Sequence, residues 1–378
     1  MSAHATPRRW SPQQDDALKQ VARWLKSKPG RNAPQVFRLF GFAGVGKTSL
    51  ARYLAQDLNK VMFGAFTGKA AHVLRQKGCE GASTIHSMIY RLKTEDRRTG
   101  EPLFTLDRNA DIRHADLVVI DEVSMVDKKL GEDLLSFGRP ILVLGDPAQL
   151  PPIEGAGYFI NAKPDVLLTE VHRQAKASPI IALATDIREG RTPSLCATGD
   201  ARIIQRSSVR DTMLAEADQI LTGLNATRHR INAQMRALAG HKTVRPATGE
   251  RLVCLKNNAS KGLLNGALFH VLDDKREDYA RTSALTLASE DDPSGRKAVR
   301  VYVHDAFWKG QENVLTQNEK RDLDQFAYGY ALTAHKSQGS QWDNVFVFDE
   351  GGVFRDDAVR WRYTAITRAA KQLTYAID

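Results

Sequence analysis

The sequence predicts an α/β fold built on parallel sheets, and three observations carry that expectation. A glycine-rich loop, Gly41-Phe42-Ala43-Gly44-Val45-Gly46-Lys47-Thr48, joins the apolar run Val36–Phe40 to a helix-like segment, Ser49–Leu58. Two later apolar runs, Leu117-Val118-Val119-Ile120 and Pro140–Leu144, are continuous rather than alternating, as expected of parallel strands buried on both faces. Each of the two ends in polar chemistry, Asp121-Glu122 after the first and Gly145-Asp146-Pro147-Ala148-Gln149-Leu150-Pro151-Pro152 after the second.

The loop fits the phosphate-binding pattern G-x-x-x-x-G-K-[ST] without a mismatch, and its strand–loop–helix setting is the context that pattern requires. An accidental match in a chain of this length is on the order of one in a hundred from average composition. Glycines at 41, 44 and 46 let the backbone wrap closely, so that its N–H groups and the helix N-terminus face a triphosphate. Lys47 then pairs with the β- and γ-phosphates, and the Thr48 hydroxyl binds Mg²⁺. Asp121, closing its strand, is the metal-side carboxylate, and Glu122 is the candidate general base that activates water. Gln149, at the edge of a third strand, offers a neutral amide to the γ-phosphate, which senses that group without opposing transition-state charge. The chemistry expected is hydrolysis of ATP or GTP.

Composition narrows the setting. The 378 residues allow two to four structural units, and a 42% hydrophobic fraction supports real cores. The net charge of +10 suits a polyanion, of which nucleic acid is the commonest. Cys79, Cys196 and Cys254 are widely spaced, which excludes a disulfide scaffold or a cysteine-rich zinc site and fits a reducing compartment. No apolar run reaches the length of a membrane span, and Arg8-Arg9 is not followed by the apolar stretch of a secretion signal. The cytosol, bacterial or of a phage-infected cell, is the expected location.

These strings, taken in order, resemble the helicases of superfamily 1, specifically the RecD-like/Dda-like branch of superfamily 1B. Asp121-Glu122-Val123-Ser124-Met125 is similar to the branch's second motif and residues 145–152 to its third. Ala65-Phe66-Thr67-Gly68-Lys69-Ala70-Ala71 resembles motif Ia, and Ser83-Thr84-Ile85-His86-Ser87 the next DNA-contacting motif. Val171-His172-Arg173-Gln174 resembles motif IV, with Arg173 at the arginine-finger position. Leu332-Thr333-Ala334-His335-Lys336-Ser337-Gln338-Gly339-Ser340 resembles motif V, and Tyr363-Thr364-Ala365-Ile366-Thr367-Arg368-Ala369 motif VI, with Arg368 as a second finger. Trp10-Ser11-Pro12-Gln13-Gln14-Asp15-Asp16-Ala17 is similar to the segment whose glutamine reads adenine, which points to Gln14. Val45, Ser49 and Gly339 complete the nucleotide contacts that the resemblance implies. Two features depart from the pattern: Gln341 stands where an acidic residue usually touches ribose, and the extended N-terminal region of larger RecD-like proteins is lacking, which speaks against a place in a large recombination complex.

The resemblance implies two RecA-like cores, a β-hairpin insertion in the first and an SH3-like β-barrel insertion in the second. The first core covers about 1–175, with the hairpin at about 88–108 acting as a strand-separating pin. The second core is split into 176–242 and 326–378 around an insertion at 243–325. That insertion has its own texture: Arg251–Leu255, Ala267–Leu272, Ala284–Ala288 and Ala298–Val303 are short β-prone runs between turn-rich stretches, which argues a small barrel. Thr67, Lys69, His86, Thr333, His335, Lys336 and Ser337 combine hydroxyls, cations and ring donors suited to a DNA backbone, and Phe66 and Trp342 offer stacking surface. ATP with Mg²⁺ as cofactors, single-stranded DNA and duplex junctions as partners, a monomer, 5′→3′ movement and replication or recombination proteins as associates complete the expectation. An RNA helicase, or a nucleic-acid-binding module with an inactive ATPase, is the alternative.

Overall fold

The computed structural model describes residues 10–378 except 30–32, 96–101, 152–156, 171–177, 259–260, 275–280, 291–297 and 322. The chain divides into two compact units. The first is formed by Met1–Phe66, Ala70–Tyr90 and Leu106–Ala182, the second by Thr67–Lys69, Arg91–Thr105 and Leu183–Asp378.

The first unit is organised by a parallel sheet of β1 (Val36–Gly41), β2 (Val61–Ala65), β3 (Ser83–Thr84), β6 (Leu117–Asp121), β7 (Ile141–Gly145) and β8 (Val166–Leu168). Their order is β3-β2-β6-β7-β1-β8. The continuous apolar runs explain this directly, because successive side chains of a strand point to opposite faces and both faces here are covered. Phe37, Leu39, Leu117, Val119, Leu142 and Leu144 enter one core with Ala17, Val21, Leu50, Ala51 and Leu74 from the helices Pro12–Lys26, Lys47–Ala55 and Gly68–Gln76. The alternate residues Val36, Phe40, Val118, Ile120, Ile141 and Val143 enter the other, with Ile85, Met88, Ile89, Leu130 and Leu134 from the helices Ile85–Ile89 and Lys128–Leu135. Each fully buried aliphatic or phenyl side chain contributes about 1.5–3 kcal/mol over leaving it exposed.

The second unit holds a second parallel sheet of β9 (Ala201–Gln205), β10 (Gln219–Thr222), β16 (Ala331–Thr333), β17 (Trp342–Phe348) and β18 (Ala369–Ile377), in the order β16-β10-β17-β18-β9. The helix Asn225–Leu238 lays Ile231 and Met235 on one face of it, against Ile220, Ala331, Phe346 and Phe348. Between β10 and β16 the chain builds an antiparallel sheet of β11 (Arg251–Cys254), β12 (Leu268–Asp273), β13 (Thr282–Ser289), β14 (Val299–His304) and β15 (Phe326–Tyr328), ordered β14-β13-β12-β11-β15. Here the hydrophobic period is two, and Leu252, Cys254, Phe269, Val271, Leu285, Leu287, Val301 and Val303 share one buried core. Phe326–Tyr328 pairs with β11 rather than with the parallel sheet, so the chain returns to that sheet only at Ala331. A pair of strands, β4 (Tyr90–Glu95) and β5 (Pro102–Leu106), forms a separate two-stranded sheet, most of which belongs to the second unit. No helix among the described residues is long and apolar enough to cross a membrane.

Candidate nucleotide site and nucleic-acid interface

The glycine-rich loop is set by its close neighbours. A side chain at Gly41 would bring its Cβ to 2.7 Å from Val45 Cγ2 and 2.8 Å from the Leu168 carbonyl oxygen, so only glycine fits. Gly46 adopts φ 83°, the left-handed conformation that glycine takes without strain, and starts the helix Lys47–Ala55 with no side-chain cap. An uncapped helix N-terminus at the end of a parallel strand is a ready anion site. Lys47 Nζ donates to the Gly41 and Phe42 carbonyls at 2.6 and 3.1 Å, which holds its charge at the loop.

Strand register brings the other predicted residues to the same edge. β7 lies between β6 and β1, with Gly145 opposite Phe40 and Val143 opposite Ile120, so Gly41 and Asp121, which close their strands, and Asp146, which follows its own, lie along one sheet edge. The Thr48 hydroxyl donates to Asp121 Oδ2 at 2.9 Å, joining two motifs that lie 73 residues apart. Asp121 Oδ1 accepts the backbone N–H of Glu122 at 2.9 Å. Glu122 itself sits at φ 53°, ψ 46°, a left-handed conformation that a non-glycine residue adopts at a cost of order 1–3 kcal/mol and that is concentrated at functional sites. Gln149 follows a turn in which Asp146 accepts the Ala148 and Gln149 N–H groups, and it is 8% exposed with no partner for its Oε1 among the described residues. A buried acceptor of that kind is matched by a donor arriving with a ligand.

Gln14 is 2% exposed and bound at both ends of its amide. Its Oε1 accepts the Ser11 N–H at 2.9 Å, completing a capping box, and its Nε2 donates to the Val45 carbonyl at 3.0 Å. In this geometry Gln14 braces the phosphate loop. Arg173 lies outside the described residues. Arg368 is 5% exposed and is held by the carbonyls of Thr364 and Ser340 and the Thr367 hydroxyl, at 3.1, 3.2 and 3.3 Å. Val45 is fully buried, and Ser49 is half-buried in the first helical turn.

The residues expected to grip DNA fall into two sets. In the first unit, the half-buried Phe66 meets the His86 ring edge-on at 6.3 Å, and His86 lies 5.5 Å from Tyr90, whose hydroxyl donates to Asp133. Desolvation, opposed by Asp127, holds the His86 imidazole below the usual histidine value. Thr67 and Lys69, which belong to the second unit, are half-buried at the start of the helix Gly68–Gln76. In the second unit, motif V is a tight turn after β16. Thr333 is 8% exposed and accepts the Lys336 N–H, Gly339 has φ 76°, and His335 lies 5.4 Å from Phe354, which stacks on Trp361. Burial, opposed by Asp357, lowers the His335 pKa as well. Ser337 is fully buried and donates to the Ala334 carbonyl at 2.7 Å, so its hydroxyl is engaged by the turn. Lys336 Nζ reaches Asn265 Oδ1 at 3.4 Å, and Trp342 is half-buried at the head of β17.

Sequence reasoning missed Tyr90 and Asn265 at these sites, and it missed Glu350. The Glu350 carboxylate accepts the N–H groups of Gly223 and Leu224 at 2.7 and 2.9 Å and the Thr227 hydroxyl, capping the entry to the helix Asn225–Leu238 from far along the chain.

A phosphate loop, a strand-end carboxylate bound to the loop threonine and a strained glutamate beside it define a P-loop nucleotide-binding domain with a RecA-like parallel sheet. The AAA domain family model matches residues 11–209, and the UvrD-like helicase C-terminal domain matches 328–374. The chain is 30% identical to the ATP-dependent RecD2 DNA helicase of Deinococcus radiodurans over 369 residues, covering 88% of this chain and 45% of that protein. It is 33% identical to the ATP-dependent DNA helicase dda of Enterobacteria phage T4 over 168 residues, covering 40% and 37%. The Pif1 helicase from Bacteroides, solved in complex with ADP-AlF3 and ssDNA, shares the fold with a TM-score of 0.56 at 17% identity, covering 96% of this chain and 92% of that one. The chain belongs to the AAA domain family, whose model spans more than half of it. Nucleotide binding comes with that membership. The chain spans less than half the length of these two curated relatives.

Proposed function

We propose that this chain is an ATP-driven motor that moves 5′→3′ on single-stranded DNA and unwinds duplex. The observation that carries the ATPase half is the Thr48–Asp121 hydrogen bond, which unites the loop hydroxyl with the strand-end carboxylate at 2.9 Å. The names of its relatives, RecD2 and dda among them, support DNA as the track.

The residues fit Mg²⁺ in the way that ion prefers. Among the described residues no cluster of three His, Cys, Asp or Glu could enclose a metal, so Thr48 and Asp121 would hold the ion together with phosphate oxygens and water. Magnesium held by these residues would supply positive charge to the phosphates. Lys47 draws the β- and γ-phosphates into the loop, and its present carbonyl partners are ones it can exchange for phosphate oxygens. Glu122 accepts the proton of the attacking water. Gln149, with its orphaned Oε1, orients that water. Arg173 and Arg368 stabilise the developing charge.

On the DNA side, Phe66 and Trp342 stack bases, and Thr67, Lys69, His86, Thr333, His335 and Lys336 hold phosphates and sugars. The antiparallel sheet β11–β15 is read as the SH3-like insertion that helps retain the strand, and the β4–β5 pair as the strand-separating pin. The motor works as a monomer on single strands and at duplex junctions, with replication or recombination proteins as associates. Duplexes carrying either a 5′ or a 3′ single-stranded tail test the reading. Unwinding from the 5′ tail in the presence of ATP is expected. Unwinding from the 3′ tail would overturn the polarity, and unwinding of neither would overturn the motor.

A further inference from the structure

Arg228 is one of the few arginines buried in the second unit, at 7% exposure, and its environment does not account for its charge. Its Nη2 lies 3.0 Å from His229 Nε2, while its Nε has no partner among the described residues. No carboxylate among the described residues forms an ion pair with it; Glu312 acts on it only from a distance. Arg236, about two turns further on, shows what a neutralised buried arginine looks like in this same helix: Glu250 accepts from its Nε and Nη2 at 2.7 and 2.9 Å. A buried guanidinium without a counter-charge is costly, and its retention is explained when a ligand brings the charge.

The surroundings point to the ligand. Asn232 ties the helix to the strand that leads into motif V, donating to the carbonyls of Arg228 and Ala331 at 3.0 and 3.1 Å and accepting the Ala331 N–H at 2.9 Å. Lys336 follows that strand and is steadied by Asn265 from the turn between β11 and β12. Through Asn232, which bridges the Arg228 carbonyl and the strand that precedes Lys336, the two cations sit on neighbouring segments, and desolvation, then the Arg228 charge, lower the Lys336 pKa. His229 is held neutral by desolvation and by Arg228, and it serves as an acceptor rather than a third cation. Two cations with no carboxylate partner among the described residues, one of them a planar fork, match the tetrahedral oxygens of a phosphate.

We propose that Arg228 and Lys336 form a phosphate site for the backbone of the bound single strand. The proposal deepens the DNA-motor reading and rests on it. The shared chemistry is a phosphate oxyanion, and the strand and the nucleotide are its two sources. The test compares Arg228→Met and Arg228→Lys with the parent protein, using oligodeoxythymidine and a fluorescent ADP as separate probes and thermal unfolding as a third measurement.

Arg228→Met should bind the oligonucleotide roughly tenfold or more weakly at fixed salt, as expected when a charged hydrogen bond is lost. Its log–log salt dependence should be shallower by about 0.7, one phosphate contact on a single strand. Its thermal midpoint should rise by about 2–4 °C for each kcal/mol of desolvation relieved. Arg228→Lys should keep the salt slope and lose part of the affinity. An unchanged salt slope and affinity in Arg228→Met would overturn the site, as would a loss confined to ADP binding. Failure of Arg228→Met to fold would assign Arg228 a structural role and overturn it too. A parent protein that binds no oligonucleotide at all would instead sink the motor reading, and this site with it.

Discussion

Replacing Thr48 with Val keeps the shape of the side chain and removes the hydroxyl that donates to Asp121 at 2.9 Å. A hydrogen bond to a charged acceptor contributes about 1.5–3 kcal/mol, and because this pair is half-buried the lower end, about 1.5 kcal/mol, applies. For units of this size that loss lowers the thermal midpoint by about 3–6 °C. Hydrolysis should suffer far more, because the same oxygen is the proposed magnesium ligand. Metal stabilisation of transition-state charge is worth several kcal/mol, so a fall of about 10²-fold or greater is expected. Thr48→Ser, which retains the oxygen, should restore most of both. The assay is steady-state ATP hydrolysis across a magnesium titration, run beside thermal unfolding. Wild-type magnesium dependence in Thr48→Val, even with the lowered midpoint, would reduce the Thr48–Asp121 contact to a structural bond and refute the reasoning.

Lys47→Ala should abolish hydrolysis, whereas Glu122→Gln should retain nucleotide binding and lose turnover, since an amide accepts no proton from water; near-normal turnover in Glu122→Gln would remove it from the base role. The antiparallel sheet should show its own acid sensitivity through Glu290. Burial alone would raise that carboxyl, but hydrogen bonds from His270 and Arg251 override it and hold the pKa at about 2. A depressed pKa contributes stability that is complete above the unfolded value near 4.5 and is lost as pH falls towards 2. Denaturant midpoints measured from pH 5 to 2 should therefore fall more steeply in the parent than in Glu290→Gln, and parallel curves would count against the assignment.

The first unit was the more legible in sequence because its signals are local. Val36–Phe40, Leu117–Ile120 and Pro140–Leu144 are unbroken apolar runs, and the structure extends each by a residue or shifts it by one, to Gly41, Asp121 and Gly145. The helix after the loop starts at Lys47 rather than Ser49, since the left-handed Gly46 begins it. The period-two runs at 251–303 likewise became strands β11–β14. What sequence could not offer is pairing across long separations. Tyr90 with Asp133, Gly223 with Glu350 and Arg236 with Glu250 are polar contacts without a periodic signature. Gln14 illustrates the same limit inside a recognised motif. Its helical spacing was readable, but its contact with the Val45 carbonyl depends on how the helix Pro12–Lys26 packs beside the loop. Ser337 reads as a DNA-facing hydroxyl in its motif, yet the tight turn after β16 directs it inward to Ala334.

The central claim, that nucleotide chemistry here is coupled to a nucleic-acid track, is tested most directly by steady-state ATP hydrolysis with and without oligodeoxythymidine over a range of salt. Single-stranded DNA should stimulate hydrolysis, and the concentration giving half-maximal stimulation should climb steeply with salt as phosphate contacts release counterions. Identical rates with and without DNA at every salt concentration would contradict the account.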